Sequence, residues 1–375
     1  MTKAQTNEKR NTLRMSYFTK GEFYGRSAIP LLLIALMGCS HFGPNTIRNS
    51  RTDYNIAIEQ TSNEQLLLNL VRLRYRDTPF FMETASISTN FSFDGGIGAT
   101  ADIVPSAADN YGLFSNLNYS ENPTITYIPL QGEKFVKQML TPLRLEILLL
   151  LYHSGWSIDR LMRITAQSIN GIPNAPTASG PTPDTAPEYE HFNEISALIR
   201  SLQKSRSIVL AADAEGGLVL NIKPESHKSS DVQTFLQALN LDGNTLSFPI
   251  TSSLIMDSKR ISIIPRSLMA SMFYLSQTVD VSQYDRDAGK VTITKYESGE
   301  VFDWDNVAHN LFNINTSSSY PKSPYVAVKY RDAWFYIDDA DLSSKSTFSL
   351  LKQLLALQSG DVQFQVPVLT LPVGR

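Results

Sequence analysis

Val326-Ala-Val-Lys-Tyr-Arg-Asp-Ala-Trp-Phe-Tyr-Ile337 leads through an acidic link into Ser344–Gln358. Val326–Tyr330 and Trp334–Ile337 read as strands, closed by a tight turn at Arg331-Asp332. Ser344–Gln358 then carries Phe348, Leu350, Leu351, Leu354, Leu355 and Leu357, which is helical spacing. A hairpin feeding directly into a helix predicts an α+β fold, with mixed helices and mainly antiparallel sheets in one or two closely packed domains. Trp334-Phe-Tyr-Ile337 is apolar on both faces, which predicts a strand buried on two sides. In the turn, Asp332 is a residue type that tolerates a left-handed backbone.

The same reading extends outward. Asp53 opens a helix to about Arg76, with Ile56, Leu66, Leu67, Leu70, Val71 and Tyr75 in register. Residues 82–93 alternate like a strand, and Asp94-Gly95-Gly96 predicts a turn into Ile97–Val104. Asn122–Leu130 predicts a short strand. Residues 132–170 form a helical cluster, in which Leu143–Tyr152 is apolar almost all round and predicts a central buried helix. Residues 172–187 contain five prolines and predict an exposed loop. Beyond it come a helix at 189–204, a hairpin around Glu215-Gly216-Gly217, and strands including Val291–Lys295 and Leu311–Asn315.

The composition narrows the function. The 375 residues hold 33 Lys+Arg, 36 Asp+Glu and a single cysteine, Cys39. A net charge of −3 provides no basic field for nucleic acid. One cysteine excludes an intrachain disulfide and a cysteine-held metal framework. Lys20 and Arg26 precede the apolar run Ala28–Met37, which ends in Gly38-Cys39-Ser40. A basic flank, a short apolar core and small residues at a cut site make a secretory signal. The run is about half the roughly 20 residues a spanning helix needs.

Leu36-Met37-Gly38-Cys39 resembles a bacterial lipobox, whose cysteine is acylated. That resemblance implies a signal peptide over 1–38, with Met1 or Met15 as its start, and a flexible tether over 39–52. Further along, it leaves an N-terminal helical and β part over 53–171, the Pro-rich loop over 172–187, and a C-terminal α+β part over 188–375. The chain without residues 1–38 has 27 bases against 34 acids, a net charge of −7. Ser40 after the cysteine implies the outer membrane, with the chain facing the periplasm.

Glu64-Gln-Leu-Leu-Leu-Asn-Leu-Val-Arg-Leu-Arg-Tyr75, Trp334-Phe-Tyr-Ile-Asp-Asp339 and Pro367-Val-Leu-Thr-Leu-Pro-Val-Gly374 together resemble a family of bacterial lipoproteins to which no activity is assigned. No ligand or functional residue is implied beyond the anchor.

Candidate chemistry is sparse. Asp338, Asp339, Asp341 and Lys345 form the densest polar group, at a strand-to-helix junction. Carboxylates two apart can share a hard cation, and the same residues can instead cap the helix. Capping is the favoured reading. Arg72, Arg74 and Arg76 spread around a helix and do not converge. The five histidines show no metal-ligand spacing, and no nucleophile elbow is present. No cofactor is expected. Three functions follow: an envelope interaction or assembly protein partnered by an envelope protein or by its own copies; a lipid or small-ligand binder; and a hydrolase with a non-standard site. The first is preferred, and catalysis is not expected.

Overall fold

The computed structural model describes residues 42–102 and 110–359. Cys39, the leader and Val366–Leu371 lie outside the described residues. The fold is α+β, as expected. Among the described residues, one compact unit holds 42–55 and 86–126, and a second holds 56–85 and 127–359. The division therefore falls at three points, 55/56, 85/86 and 126/127.

Helix α1 spans Phe42–Arg74. It starts eleven residues before Asp53, so residues 42–52 are helix and not tether. Gly43 and Pro44 sit in its first turn, where a missing backbone N–H breaks no bond. Leu66, Leu67, Leu70, Val71 and Leu73 are buried on one side.

Two side-chain amides of α1 then take hold of the outgoing chain. Asn69 donates from Nδ2 to the Phe80 carbonyl (2.8 Å) and accepts from the Phe80 N–H (2.9 Å). Gln65 does the same to Met82, at 2.9 and 2.6 Å. Residues four apart on a helix thus satisfy residues two apart on a strand, because both spacings are close to 6 Å.

That strand is β1, Phe81–Asp102, and its partner is β2, Asn110–Leu130. They pair only with each other. The predicted turn at Asp94-Gly95-Gly96 does not form: Gly96 continues the strand. Asn122–Leu130, read as a short strand, is the end of a long one.

The second unit contains two hydrophobic clusters. Helices α2 (Glu133–Leu140), α3 (Leu145–His153) and α4 (Ile158–Thr165) follow the hairpin. Only Ile147, Leu148 and Leu151 of α3 are buried, and Leu150 is half exposed. This helix is one-sided, contrary to expectation. The chain then becomes strand β3 (Ala166–Ile169), where continued helix is expected, and returns as β4 (Ile172–Pro173). The Pro-rich stretch is packed: Pro176–Ser179 form a 3-10 turn, and Asn174, Ala175 and Ala178 are fully buried.

Next come α5 (Glu190–Lys204), β5 (Ile208–Ala212), β6 (Leu218–Ile222), α6 (Ser230–Ala238), β7 (Ser247–Thr251) and β8 (Ile261–Pro265). The sheet runs β4-β3-β8-β7-β6-β5 and is antiparallel except for the β7–β8 pair. Helices α5 and α6 supply Phe192, Ile195, Ile199, Val232 and Phe235 to its cluster.

Helices α7 (Leu268–Ser276), α8 (Gln283–Asp287) and α9 (Asp305–Ala308) precede a second sheet, ordered β10-β11-β9. Its strands are β9 (Asn315–Ser317), β10 (Pro324–Tyr330) and β11 (Ala333–Asp338). Residues 291–295 make only isolated bridges, and residues 311–314 precede β9. Phe335 and Ile337 are fully buried while Trp334 and Tyr336 are partly open, so β11 buries one face and not two. Helix α10 (Leu342–Ser359) inserts Phe348, Leu350, Leu351 and Leu354 into the cluster it shares with α1.

Candidate functional site

The second unit carries a polar cleft of about 440 Å³. Arg74, the last residue of α1, lies on one side of it. Gln277, Thr278 and Asp280 follow α7, Arg286 belongs to α8, and Asp303, Trp304 and Asp305 lead into α9. Arg74 is buried and donates from Nη1 to Gln277 Oε1 (3.3 Å) and to the Thr292 carbonyl (3.1 Å). Its Nε has no hydrogen-bond partner. Burial, helped by the like charge of Arg286, pulls the Arg74 guanidinium down to about 10. Arg286 is held by the Val281 carbonyl (3.0 Å) and Asp280 Oδ1 (3.2 Å). Burial, with Asp303 and Asp280 adding like charge, pushes the Asp305 carboxyl above its usual range.

Two guanidiniums and three carboxylates in one cleft can grip a small polar solute bearing both donors and acceptors. They offer no activated nucleophile. Among the described residues no group of His, Cys, Asp and Glu could hold a metal, and the one His–carboxylate pair, His191–Glu194 at 3.3 Å, is exposed.

Beside the cleft, Tyr75 donates to Asp285 Oδ2 (2.8 Å) and Lys290 donates to Asp285 Oδ1 (2.6 Å). Burial raises the Asp285 carboxyl, but the bonds from Lys290 and Tyr75 outweigh it and leave the group below its usual range. Burial and the bond to Asp285 push the Tyr75 phenol up. Asp77 accepts from the Tyr330 hydroxyl and from Arg331 Nη2, the latter at 3.0 Å. The Arg331 guanidinium lies 4.5 Å from the centre of the Tyr75 ring. These contacts explain the β10–β11 turn: Arg331, and not Asp332, takes the left-handed backbone, with φ of 52°.

The polar group at the β11–α10 junction is a cap. Asp341 Oδ1 accepts the Ser344 N–H (2.9 Å) and Oδ2 its hydroxyl (2.6 Å). Asp338 Oδ1 accepts the Ala340 N–H (2.8 Å), and Lys345 pairs with Asp339 (2.6 Å). Every one of these carboxylates is thus engaged locally.

The apolar interior beneath the six-stranded sheet leaves a void of about 30 Å³, lined by Leu148, Phe235 and Ile263 among others. Sequence reading missed the cleft because its residues come from separate segments spread between Arg74 and Asn315. It also missed Arg266, which is fully buried without a carboxylate partner. Arg266 donates to the carbonyls of Arg163 (3.0 Å), Ala166 (2.8 Å) and Asn174, and to Ser179 Oγ (3.0 Å), and lies 4.2 Å from the Tyr274 ring centre.

No family model, no curated protein and no solved structure matches the chain.

Proposed function

We propose that this chain is a lipid-anchored envelope protein that works by assembling with an envelope partner or with its own copies, and not by catalysis. The observation that carries this reading is the lone Cys39, placed where a basic flank and a short apolar run end in Leu36-Met-Gly-Cys39. Acylation there would fix the chain to the outer membrane from the periplasmic side. No helix among the described residues is long and apolar enough to cross a membrane, so two or more acyl chains would do the anchoring.

Two surface features support assembly. Leu254, Ile255 and Met256 stand well exposed in the β7–β8 connection, and adjacent exposed apolar side chains mark interaction surfaces. The hairpin β1–β2 leaves both outer edges without a strand partner. Labelling cells with a fatty-acid probe should mark the wild type and not Cys39→Ala, and crosslinking in intact membranes should trap a homo-oligomer or a defined partner. Equal labelling of both proteins would remove the anchor, and a chain that crosslinks to nothing would remove the assembly.

A further inference from the structure

Strands β1 and β2 have 22 and 21 residues, about 70 Å of extended chain each. Each alternates in sequence with the period of a strand over much of its length, broken by Glu83 and Thr89 in β1 and by Phe114, Ser115, Glu121 and Pro123 in β2. In β1 the odd positions include Ala85, Ile87, Phe91, Phe93, Ile97 and Ala99, while the even ones include Ser86, Ser88, Asn90, Ser92 and Asp94. In β2 the odd positions include Tyr111, Leu113, Leu117, Tyr119, Ile125 and Tyr127, and the even ones Asn116, Asn118, Ser120, Asn122 and Thr124. Ile125 and Tyr127 are 41% and 49% exposed.

Among the described residues, β1 and β2 pair with no third strand. Both edges are open, and a lone two-stranded ribbon is at best marginal in water. A soluble partner covering the apolar side would still leave the edges unpaired. A partner adding strands to the edges would still leave the apolar side wet. Edge pairing into a ring satisfies both, if acyl chains cover the outside.

Two further features select the bilayer. No Lys or Arg occurs between Arg76 and Lys134, and basic side chains are the costliest on a lipid-facing strand. Residues 111–119 place Tyr111 and Tyr119 around Leu113 and Leu117, with no charge between them. About nine to eleven tilted residues cross the hydrocarbon, and tyrosines gather at its two borders.

We propose that β1–β2 hairpins from several copies of this chain pair edge to edge into a closed β-barrel that crosses the membrane, apolar positions toward lipid and polar positions toward a water-filled lumen. This rests on the membrane-anchored, self-assembling reading above and specifies what the assembly builds.

The test uses the full-length acylated protein in vesicles of phosphatidylethanolamine and phosphatidylglycerol loaded with carboxyfluorescein. Single cysteines carrying an environment-sensitive dye are placed at each position from 115 to 120. The barrel requires alternation: probes at 115, 117 and 119 quenched from within the lipid, those at 116, 118 and 120 quenched by aqueous iodide. Leu117→Arg should slow dye release about tenfold or more, whereas Asn118→Arg should still insert and release dye. Thermal melts of both variants that match the wild type would show that neither substitution acts through folding. Crosslinked homo-oligomers with all six probes in water would leave the assembly and overturn the barrel. Odd positions shielded from both quenchers would assign the hairpin to a protein partner and likewise overturn it. A monomer would overturn both readings.

Discussion

Asp285 and Tyr75 give the body a pH window. The Asp285 carboxyl titrates below its usual range, so its contribution is complete above the unfolded value of about 3.9 and is lost as pH falls through the lower folded value. Tyr75 titrates above its usual range, so its contribution holds below an unfolded value of about 10 and is lost as pH rises toward the folded one. Asp285→Asn should therefore flatten the acid limb of a urea-stability profile and cost about 1.5–3 kcal/mol at neutral pH. Tyr75→Phe should flatten the alkaline limb. Parallel profiles for mutant and wild type would show that the pair is not coupled to folding. Tyr75 was legible as a core position from its helical spacing. Its carboxylate partner was not, because Asp285 lies far along the chain and only the fold brings them together.

Arg266 is best understood among elements, because its five N–H groups are met by the end of α4, by β3 and by the 3-10 turn, while Tyr274 of α7 lies against its face. Backbone carbonyls replace the counter-ion, and burial pulls the guanidinium down to about 10 without neutralising it at pH 7. Arg266→Met leaves those buried acceptors without donors and should cost about 3 kcal/mol or more in denaturant titration. Arg266→Lys, a point donor in place of a planar fork, should recover only part of that loss. Full recovery by lysine would mean that charge alone matters. The same clamp explains the Pro-rich stretch, where proline content suggested exposure but Asn174 and Ser179 are needed as partners.

Elements defined by local pattern were readable: α10, α5, β10 and β11 all form close to where periodicity put them. The long strand β1 was not, since Asp-Gly-Gly reads as a turn. At Asp213–Gly217 a Gly pair does turn the chain, because the Asp213 carboxylate accepts the N–H of Glu215 (2.9 Å) and Gly217 (2.6 Å) and Gly216 takes a φ of 86°. At 94–96 the backbone stays extended, and flanking alternation outweighs the dipeptide.

At the scale of the molecule, the two hydrophobic clusters among the described residues draw on the unit that holds 56–85 and 127–359. Replacing that segment by a short Gly-Ser link between Ala85 and Tyr127 should leave one cooperative unfolding transition, with a midpoint within about 4 °C of the full chain. The shortened protein should also lose its self-association. A collapse of the transition would show that the hairpin contributes to the core. The polar cleft should survive this deletion unchanged, since all of its lining comes from the second unit.

The run without lysine or arginine also decides how the protein comes apart. Trypsin finds no peptide bond to cut between Arg76 and Lys134, whatever the state of the chain. Digestion of the unfolded chain would release residues 77–134 as its longest fragment, an apolar-striped ribbon, ahead of residues 164–200. Such a remnant, rich in strand formers, is the piece most prone to stack on itself. Clearance of the damaged protein therefore depends on proteases that cleave after aromatic or aliphatic residues.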